Sequence, residues 1–245
     1  MNIYIKYLNN ILFMITVNDL INIWLPLGLK IIKIGLYLYG QLLFLKKAKQ
    51  EEESRRFNIL VSFFFMFMNI GSILEVVTQN FFPEFYSGDI YLFWPAISAE
   101  ALVYFSGFIA IGILTLATEL NVKLFTRGLL SLIPFGLAAA TLYYGILITD
   151  LIYFLALVIV IIPILYFYIA FKAPAGIRKK SFCVALGYFL VFMGEAINYS
   201  IITRVELFKT YTAVLESMIG YQIKFMPPAV IIIGLILLFY GYRTK

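Results

Sequence analysis

A long apolar run at Leu20–Leu45 is the feature that most constrains this chain. The run exceeds the roughly 20 residues that a helix needs to cross a bilayer. It also contains two lysines, Lys30 and Lys33. A charge at that depth is costly, so such a residue usually faces the protein interior and pairs with an acidic group there. The sequence therefore predicts a membrane helix whose lysines have acidic partners on other helices.

The composition predicts the class of protein. Of the 245 residues, 63% are hydrophobic and 13% are charged, whereas a soluble domain has about half and a quarter respectively. The excess apolar surface is expected to face lipid. We therefore predict an all-α, polytopic protein of the cell membrane. The positive-inside rule explains the net charge of +6 without a nucleic-acid partner.

The hydropathy pattern predicts a single transmembrane domain at residues 19–245, preceded by an interfacial amphipathic segment at residues 1–18. This domain is expected to be a bundle of seven transmembrane helices. The predicted spans lie at about residues 20–45, 57–81, 90–118, 125–147, 150–171, 181–203 and 221–242.

The basic residues predict the orientation. Most of the 19 lysine and arginine residues lie in loops 1–2, 3–4 and 5–6 and in the C-terminal tail. Because cytoplasmic loops are enriched in Lys and Arg, the N-terminus is predicted outside and the C-terminus inside. The basic loops 1–2 and 5–6 are then candidate surfaces for a protein partner, as well as for membrane lipid.

Other features predict local structure. Ser106 and Gly136, each followed four residues later by alanine, are expected to allow close helix contact. Glu119 is expected to form a solvated pair with Lys123, one helical turn away. Prolines within the spans are expected to kink the helices. These prolines are Pro26, Pro95, Pro134, Pro163 and the pair Pro227-Pro228.

Three lysines and three glutamates fall inside the predicted spans. Counted from the basic border at about 1.5 Å per residue, all six lie in the outer half of a core about 30 Å thick. Polar neighbours such as Tyr37, Ser72 and Gln79 share their helix faces at helical spacing. The pattern predicts an outward-facing charged chamber lined by helices 1, 2, 3, 6 and 7. Its candidate residues, for ligand binding or for a purely structural ion-pair network, are Lys30, Lys33, Glu75, Glu100, Glu195, Asn198 and Lys224.

Several chemistries are not predicted. The chain has one cysteine and no histidine, so disulfides and histidine-ligated metal or haem sites are excluded within it. It contains no phosphate loop, dinucleotide fingerprint, GxSxG or HExxH motif. We therefore expect a protein that is not an enzyme and that holds no metal and no cofactor.

The predicted topology resembles that of microbial rhodopsins, but the position of one lysine and the pattern of helix 6 argue against a retinal site. Lys224, the lysine of helix 7, falls near the outer end rather than the middle. Glu100 could serve as a counter-ion, yet Phe182–Ile202 lacks the aromatic pattern of the retinal pocket.

A wider resemblance rests on the basic loop Lys46–Arg56, on Lys123 and Arg127, on Ala173–Lys180 (APAGIRKK) and on Gly234–Tyr242 (GLILLFYGY). With these segments the chain resembles uncharacterised archaeal seven-helix membrane proteins and the seven-helix sensor modules of signalling kinases. The resemblance transfers no functional residue. It implies a receptor- or sensor-like protein that binds a small or lipid-derived ligand in the charged chamber. The alternatives are a small secondary transporter or proton-coupled carrier, and a structural subunit of a membrane complex.

Overall fold

The computed structural model describes residues 23–82, 99–122, 128–144, 152–172, 174–198 and 225–243. The predicted segment at residues 1–18 lies outside them. The regular structure in the described part is helical, which confirms the all-α class. Its seven helices are α1 (Leu25–Gln50), α2 (Arg55–Phe81), α3 (Ala99–Val122), α4 (Leu129–Tyr144), α5 (Ile152–Lys172), α6 (Ala175–Asn198) and α7 (Met226–Tyr242).

Helix boundaries differ from the predicted spans at the basic loops. α1 continues through Lys46, Lys47 and Lys49 to Gln50, and α6 begins at Ala175, before the basic residues that precede the apolar run. The apolar pattern ends at the first charged residue, but lysine and arginine are good helix formers. The backbone hydrogen bonds therefore extend beyond the apolar segment.

Four helical segments are long and apolar enough to cross a membrane: Leu25–Gln50, Arg55–Phe81, Ala101–Asn121 and Ala175–Ile197. The apolar segments in α4, α5 and α7 are shorter. Large apolar side chains such as Ile31, Leu38 and Leu42 of α1 are exposed on the outside of the protein. A lipid environment accommodates such a surface, whereas water does not.

The helices pack in chain order. α1 contacts α2, α2 contacts α3, and the sequence continues to α6 and α7. α7 then packs beside α1, which closes the ring. The Ser62 hydroxyl on α2 donates to the Gln41 carbonyl on α1, while Lys30 near the start of α1 reaches Gln79 near the end of α2. These two contacts show that α1 and α2 are antiparallel.

One end of the protein gathers basic residues around the end of α7. Lys47 Nζ of α1 lies 2.5 Å from the carbonyl oxygen of Tyr242. Lys180 Nζ of α6 lies 3.1 Å from the carbonyl oxygen of Arg243. Two lysines thus satisfy carbonyls left free at a helix C-terminus, where positive charge is favourable. We call this the basic end.

The closest helix pair, α6 and α7, meets along glycines spaced seven residues apart. A Cβ added at Gly187 would lie 2.8 Å from the Gly234 carbonyl oxygen, and one at Gly234 would lie 2.8 Å from the Gly187 carbonyl oxygen. Gly194 and Gly241 are equally crowded by α7 and α6 respectively. Glycine at these positions lets the two backbones touch. We call these four residues the glycine seam.

The structure corrects two local predictions. Pro26 and the pair Pro227-Pro228 lie in the first turns of α1 and α7, where a missing N–H breaks no helical hydrogen bond, so they do not kink a helix interior. Pro134 and Pro163 are inside helices as predicted, and Pro95 lies outside the described residues.

Of the two predicted small-residue contacts, the structure confirms the one at Ser106 but not the one at Gly136. Ser106 packs against Gly71 of α2, so closely that a Cβ on this glycine would overlap the Ser106 hydroxyl. A Cβ at Gly136 would meet no described atom within 4 Å. Gly136 therefore does not support a close helix contact in the described part of the chain.

Candidate functional site

Helix α1 places Lys30, Lys33 and Tyr37 on one face, because residues three and four apart are neighbours on a helix surface. Lys33 and Tyr37 are almost completely buried, whereas the Lys30 side chain is 14% exposed. The face therefore leads from a partly accessible lysine near the start of α1 to buried groups one and two turns further along.

Helix α2 supplies the first partners. Glu75 and Gln79 lie one turn apart on the face that meets α1. Lys30 Nζ lies 2.7 Å from Glu75 Oε1 and 2.7 Å from Gln79 Oε1. Both distances are typical of strong, charge-assisted hydrogen bonds. Glu75 is 1% exposed, so this carboxylate is buried inside the protein.

Helix α6 supplies the second carboxylate. Lys33 Nζ lies between two glutamates, 3.4 Å from Glu195 Oε1 and 3.7 Å from Glu75 Oε2. Tyr37 donates a hydrogen bond of 2.6 Å to the same Glu195 oxygen. Lys30, Glu75, Lys33 and Glu195 thus form one continuous chain of charges across α1, α2 and α6. We call these four residues the charged cluster.

The charged cluster is balanced, with two lysines and two glutamates. Removing an ion from water costs several kcal/mol (order of magnitude), and mutual pairing offsets that cost only when the geometry is good. Lys33 supplies the positive charge that compensates the carboxylates of Glu75 and Glu195. Within the described residues no group of acidic, cysteine or histidine side chains could hold a metal ion.

The charged cluster borders polar oxygens that are not used in the described structure. Oε2 of Glu195, Oδ1 of Asn69 and Oγ of Ser72 are buried and have no hydrogen-bond partner among the described residues. The contacts of Phe64 with Tyr188 and Phe192 set the register of α2 against α6. Because both helices run away from the basic end, this register brings Asn69 to the level of Glu195. Buried polar atoms without a hydrogen-bond partner are uncommon in proteins, so these three require an explanation.

The structure thus brings together four of the residues predicted for the site: Lys30, Lys33, Glu75 and Glu195. Lys224 lies outside the described residues, as do the side chains of Glu100 and Asn198. Tyr37 and Gln79 were predicted only as polar neighbours on the same helix faces. In the structure, Gln79 accepts a hydrogen bond from Lys30 and Tyr37 donates one to Glu195.

Comparisons with protein-family models, with curated proteins and with solved structures find no match for this chain. No family therefore supplies a role for the charged cluster.

A second polar cluster, which the sequence did not predict, lies near the basic end. The Tyr242 hydroxyl is 2.9 Å from that of Tyr166 and 3.2 Å from that of Tyr188. We call the three tyrosines the tyrosine cluster. They come from α5, α6 and α7, so no local spacing links them. The sequence shows only that each of three spans has a tyrosine toward its basic border. A tyrosine at such a position is also typical of the aromatic belt at a membrane interface.

The structure corrects the prediction that Glu119 is solvated. It is 1% exposed rather than solvated, and its two carboxylate oxygens accept the backbone N–H groups of Leu130 and Ser131, each at 3.2 Å. A carboxylate at a helix N-terminus satisfies free N–H groups and complements the helix dipole. Glu119 therefore caps α4 from the end of α3, and its predicted partner Lys123 lies outside the described residues.

Proposed function

We propose that this chain is a receptor-like membrane protein with seven transmembrane helices. Four helical segments have the length and apolarity of a span, and the ring of seven helices packed in chain order supports membrane positions for the three shorter ones. The grouping of Lys47, Lys180 and Arg243 at one end supports a cytoplasmic position for that end. In this orientation the N-terminus is outside, the C-terminus is inside, and the charged cluster lies toward the outside.

The ligand site is the charged cluster. The observation that carries this proposal is the buried charge chain from Lys30 to Glu195, which ends in a carboxylate oxygen without a described partner. Replacing a buried ion-pair network by apolar residues is often neutral or stabilising, so packing alone does not require it. Ionisable residues inside a membrane protein more often mark sites for ligands, ions or protons.

The geometry suggests the chemistry of the ligand. Lys30, the partly exposed member, offers a cation to an acidic group that enters from the outer end. Glu195, Asn69 and Ser72 offer acceptors to hydroxyl or ammonium donors. Because the cluster has no net charge, a small or lipid-derived ligand that carries both kinds of group adds no net charge to a low-dielectric site.

The proposed mechanism is exchange of an internal ion pair. The acidic group of the ligand replaces Glu75 at Lys30, and α1 then shifts against α2. α1 also contacts α7 at the basic end through Lys47 and the Tyr242 carbonyl, so a movement of α1 reaches the basic loops. A protein partner that binds these loops would then respond to the changed position of α1.

The test compares small molecules retained by purified variants. Wild type, Lys30→Met, Glu195→Gln and the exposed control Lys49→Met are purified in native lipid nanodiscs. Compounds released on denaturation are quantified by mass spectrometry per mole of protein. The proposal expects a compound that is stoichiometric in wild type and Lys49→Met and depleted in both cluster variants. Identical profiles in all four samples, with extra protein subunits retained instead, would favour the structural-subunit alternative.

One observation favours a proton-coupled carrier as a second candidate. Oε2 of Glu195 is a buried carboxylate oxygen without a described partner, and buried carboxylates suit proton relays. Proteoliposomes containing a pH-sensitive dye would show substrate-driven proton uptake in wild type and its loss in Glu195→Gln. Absence of proton flux with a bound compound still present would leave the receptor-like proposal in place and exclude the carrier.

A further inference from the structure

A shallow groove opens between the end of α5 and the start of α6, at the basic end and away from the charged cluster. Its volume is about 320 Å³. Phe167 of α5 packs against Phe182 of α6 with ring centroids 5.4 Å apart, which holds the two helices together beside it. The groove is lined by Ala170, Phe171, Ala175, Arg178, Lys179 and Phe182.

The α6 side of the groove is a single helix face. Positions 175, 178, 179 and 182 are three, four and seven residues apart, so they form one stripe. In this stripe the two cations lie between Ala175 and Phe182. Phe171 on α5 and Phe182 on α6 are exposed beside the cations. An apolar wall next to paired positive charges matches a molecule with an acyl chain and an anionic headgroup.

The four cations near this groove have different contacts. Lys172 Nζ lies 4.6 Å from the centre of the Tyr168 ring. Lys180 donates to the Arg243 carbonyl at the end of α7. Arg178 and Lys179 are exposed and have no ion-pair partner in the part of the chain that the structure describes. The two cations that line the groove therefore carry charge that no described carboxylate neutralises.

We propose that this groove is a binding site for one anionic phospholipid of the leaflet at the basic end. The Arg178 guanidinium can hold two oxygens of the phosphate diester at once, and Lys179 adds a second positive charge. The acyl chain lies along Phe171 and Phe182. This site does not depend on the ligand proposed for the charged cluster, and it requires only that the start of α6 lies at the membrane surface.

The experiment is native mass spectrometry of the full chain, titrated with phosphatidylglycerol or with phosphatidylcholine of the same acyl chains. The test variant is Arg178→Gln with Lys179→Gln. The matched control is Lys46→Gln with Lys49→Gln, which removes two exposed charges from the same end of the protein. The test variant should bind the first phosphatidylglycerol about 10- to 30-fold more weakly than wild type, the loss expected for two cations near an acidic headgroup. The control should stay within about twofold of wild type, because Lys46 and Lys49 do not line the groove.

Two other arms separate the possible sources of binding. Wild type should prefer phosphatidylglycerol to phosphatidylcholine, and soluble glycerol phosphate should not compete at lipid concentrations. Equal affinity for the two lipids, equal loss in both variants, or competition by glycerol phosphate would each overturn the proposal. These readouts do not involve Lys30 or Glu195, so failure here is distinguishable from failure of the proposed ligand site.

Discussion

The hydroxyl of Tyr37 lies 2.6 Å from Oε1 of Glu195, although 158 residues separate the two along the chain. The same oxygen lies 3.4 Å from Lys33 Nζ. One glutamate on α6 is therefore held by two side chains of α1, one neutral and one charged. This arrangement fixes α6 against α1 across the interior of the ring and leaves the other Glu195 oxygen available.

Removing the Tyr37 hydroxyl should destabilise the protein. Tyr37→Phe takes away a buried hydrogen bond to a carboxylate, at an expected cost of about 1–3 kcal/mol. Thermal unfolding in detergent micelles, followed by intrinsic fluorescence, measures the change. Tyr39→Phe is the control, because Tyr39 is 53% exposed, and it should change stability by less than about 0.5 kcal/mol. Equal losses in the two variants would contradict the assigned role of Tyr37.

Lys33 and Glu195 should be energetically coupled. Lys33→Met leaves two buried carboxylates with reduced compensation, and loss of one partner of a buried pair costs about 3–5 kcal/mol. The double variant Lys33→Met with Glu195→Gln removes one charge of each sign and should recover part of this loss. A double-mutant cycle measured by unfolding should give a coupling of at least about 1 kcal/mol. Strictly additive effects would show that the two charges do not interact.

The glycine seam should be intolerant of a single methyl group. Gly234→Ala would place a Cβ 2.8 Å from the Gly187 carbonyl oxygen, and overpacking of this kind costs about 1–3 kcal/mol. Gly35→Ala is the matched control, since a Cβ there meets no described atom within 4 Å. It should be neutral or stabilise α1 by up to about 1 kcal/mol through helix propensity. The midpoints of thermal unfolding compare the two. A harmless Gly234→Ala would mean that α6 and α7 are further apart than described.

The tyrosine cluster should depend most on its central member. Tyr242→Phe removes the hydroxyl that both Tyr166 and Tyr188 contact, whereas Tyr188→Phe removes one contact. The loss of stability should therefore be about twice as large for Tyr242→Phe, at about 1 kcal/mol per hydrogen bond. Tyr240→Phe, on the exposed side of the same helix, should have little effect. Equal values for Tyr242→Phe and Tyr188→Phe would exclude a shared hydroxyl.

Much of the fold followed from hydropathy, because each long apolar run became a helix. The helix ends could not be predicted from hydropathy, because the helical hydrogen bonds of α1 continue past Lys46, where the apolar pattern has stopped. Pro26 and the pair Pro227-Pro228 were misassigned for a related reason. Whether Pro26 bends a helix or begins one depends on the position of the first turn, which hydropathy locates only within several residues.

The charged cluster was predictable in its members but not in its pairing. Matching depths suggested that six charged residues would meet. Lys30, Lys33, Glu75 and Glu195 do so, whereas Lys224 and the side chain of Glu100 lie outside the described residues. The bifurcated position of Lys33 between two glutamates depends on how α6 rotates toward α1, and no periodicity encodes that rotation.

The glycine seam and the capping role of Glu119 were harder to predict from the sequence than the charged cluster. Glycine contributes little to hydropathy, so the seven-residue spacing on α6 and α7 did not stand out. The capping role of Glu119 depends on how α4 packs against α3, which brings the backbone N–H groups of Leu130 and Ser131 to its carboxylate.

The central claim is that the charged cluster holds a ligand, and a density map of the protein in native lipid nanodiscs tests it most directly. A cryo-electron microscopy reconstruction should show discrete non-protein density touching Lys30 or Oε2 of Glu195. The same map of Glu195→Gln should lack that density. A closed cluster in wild type, with Lys30 bonded only to Glu75 and Gln79 and no added density, would contradict the account.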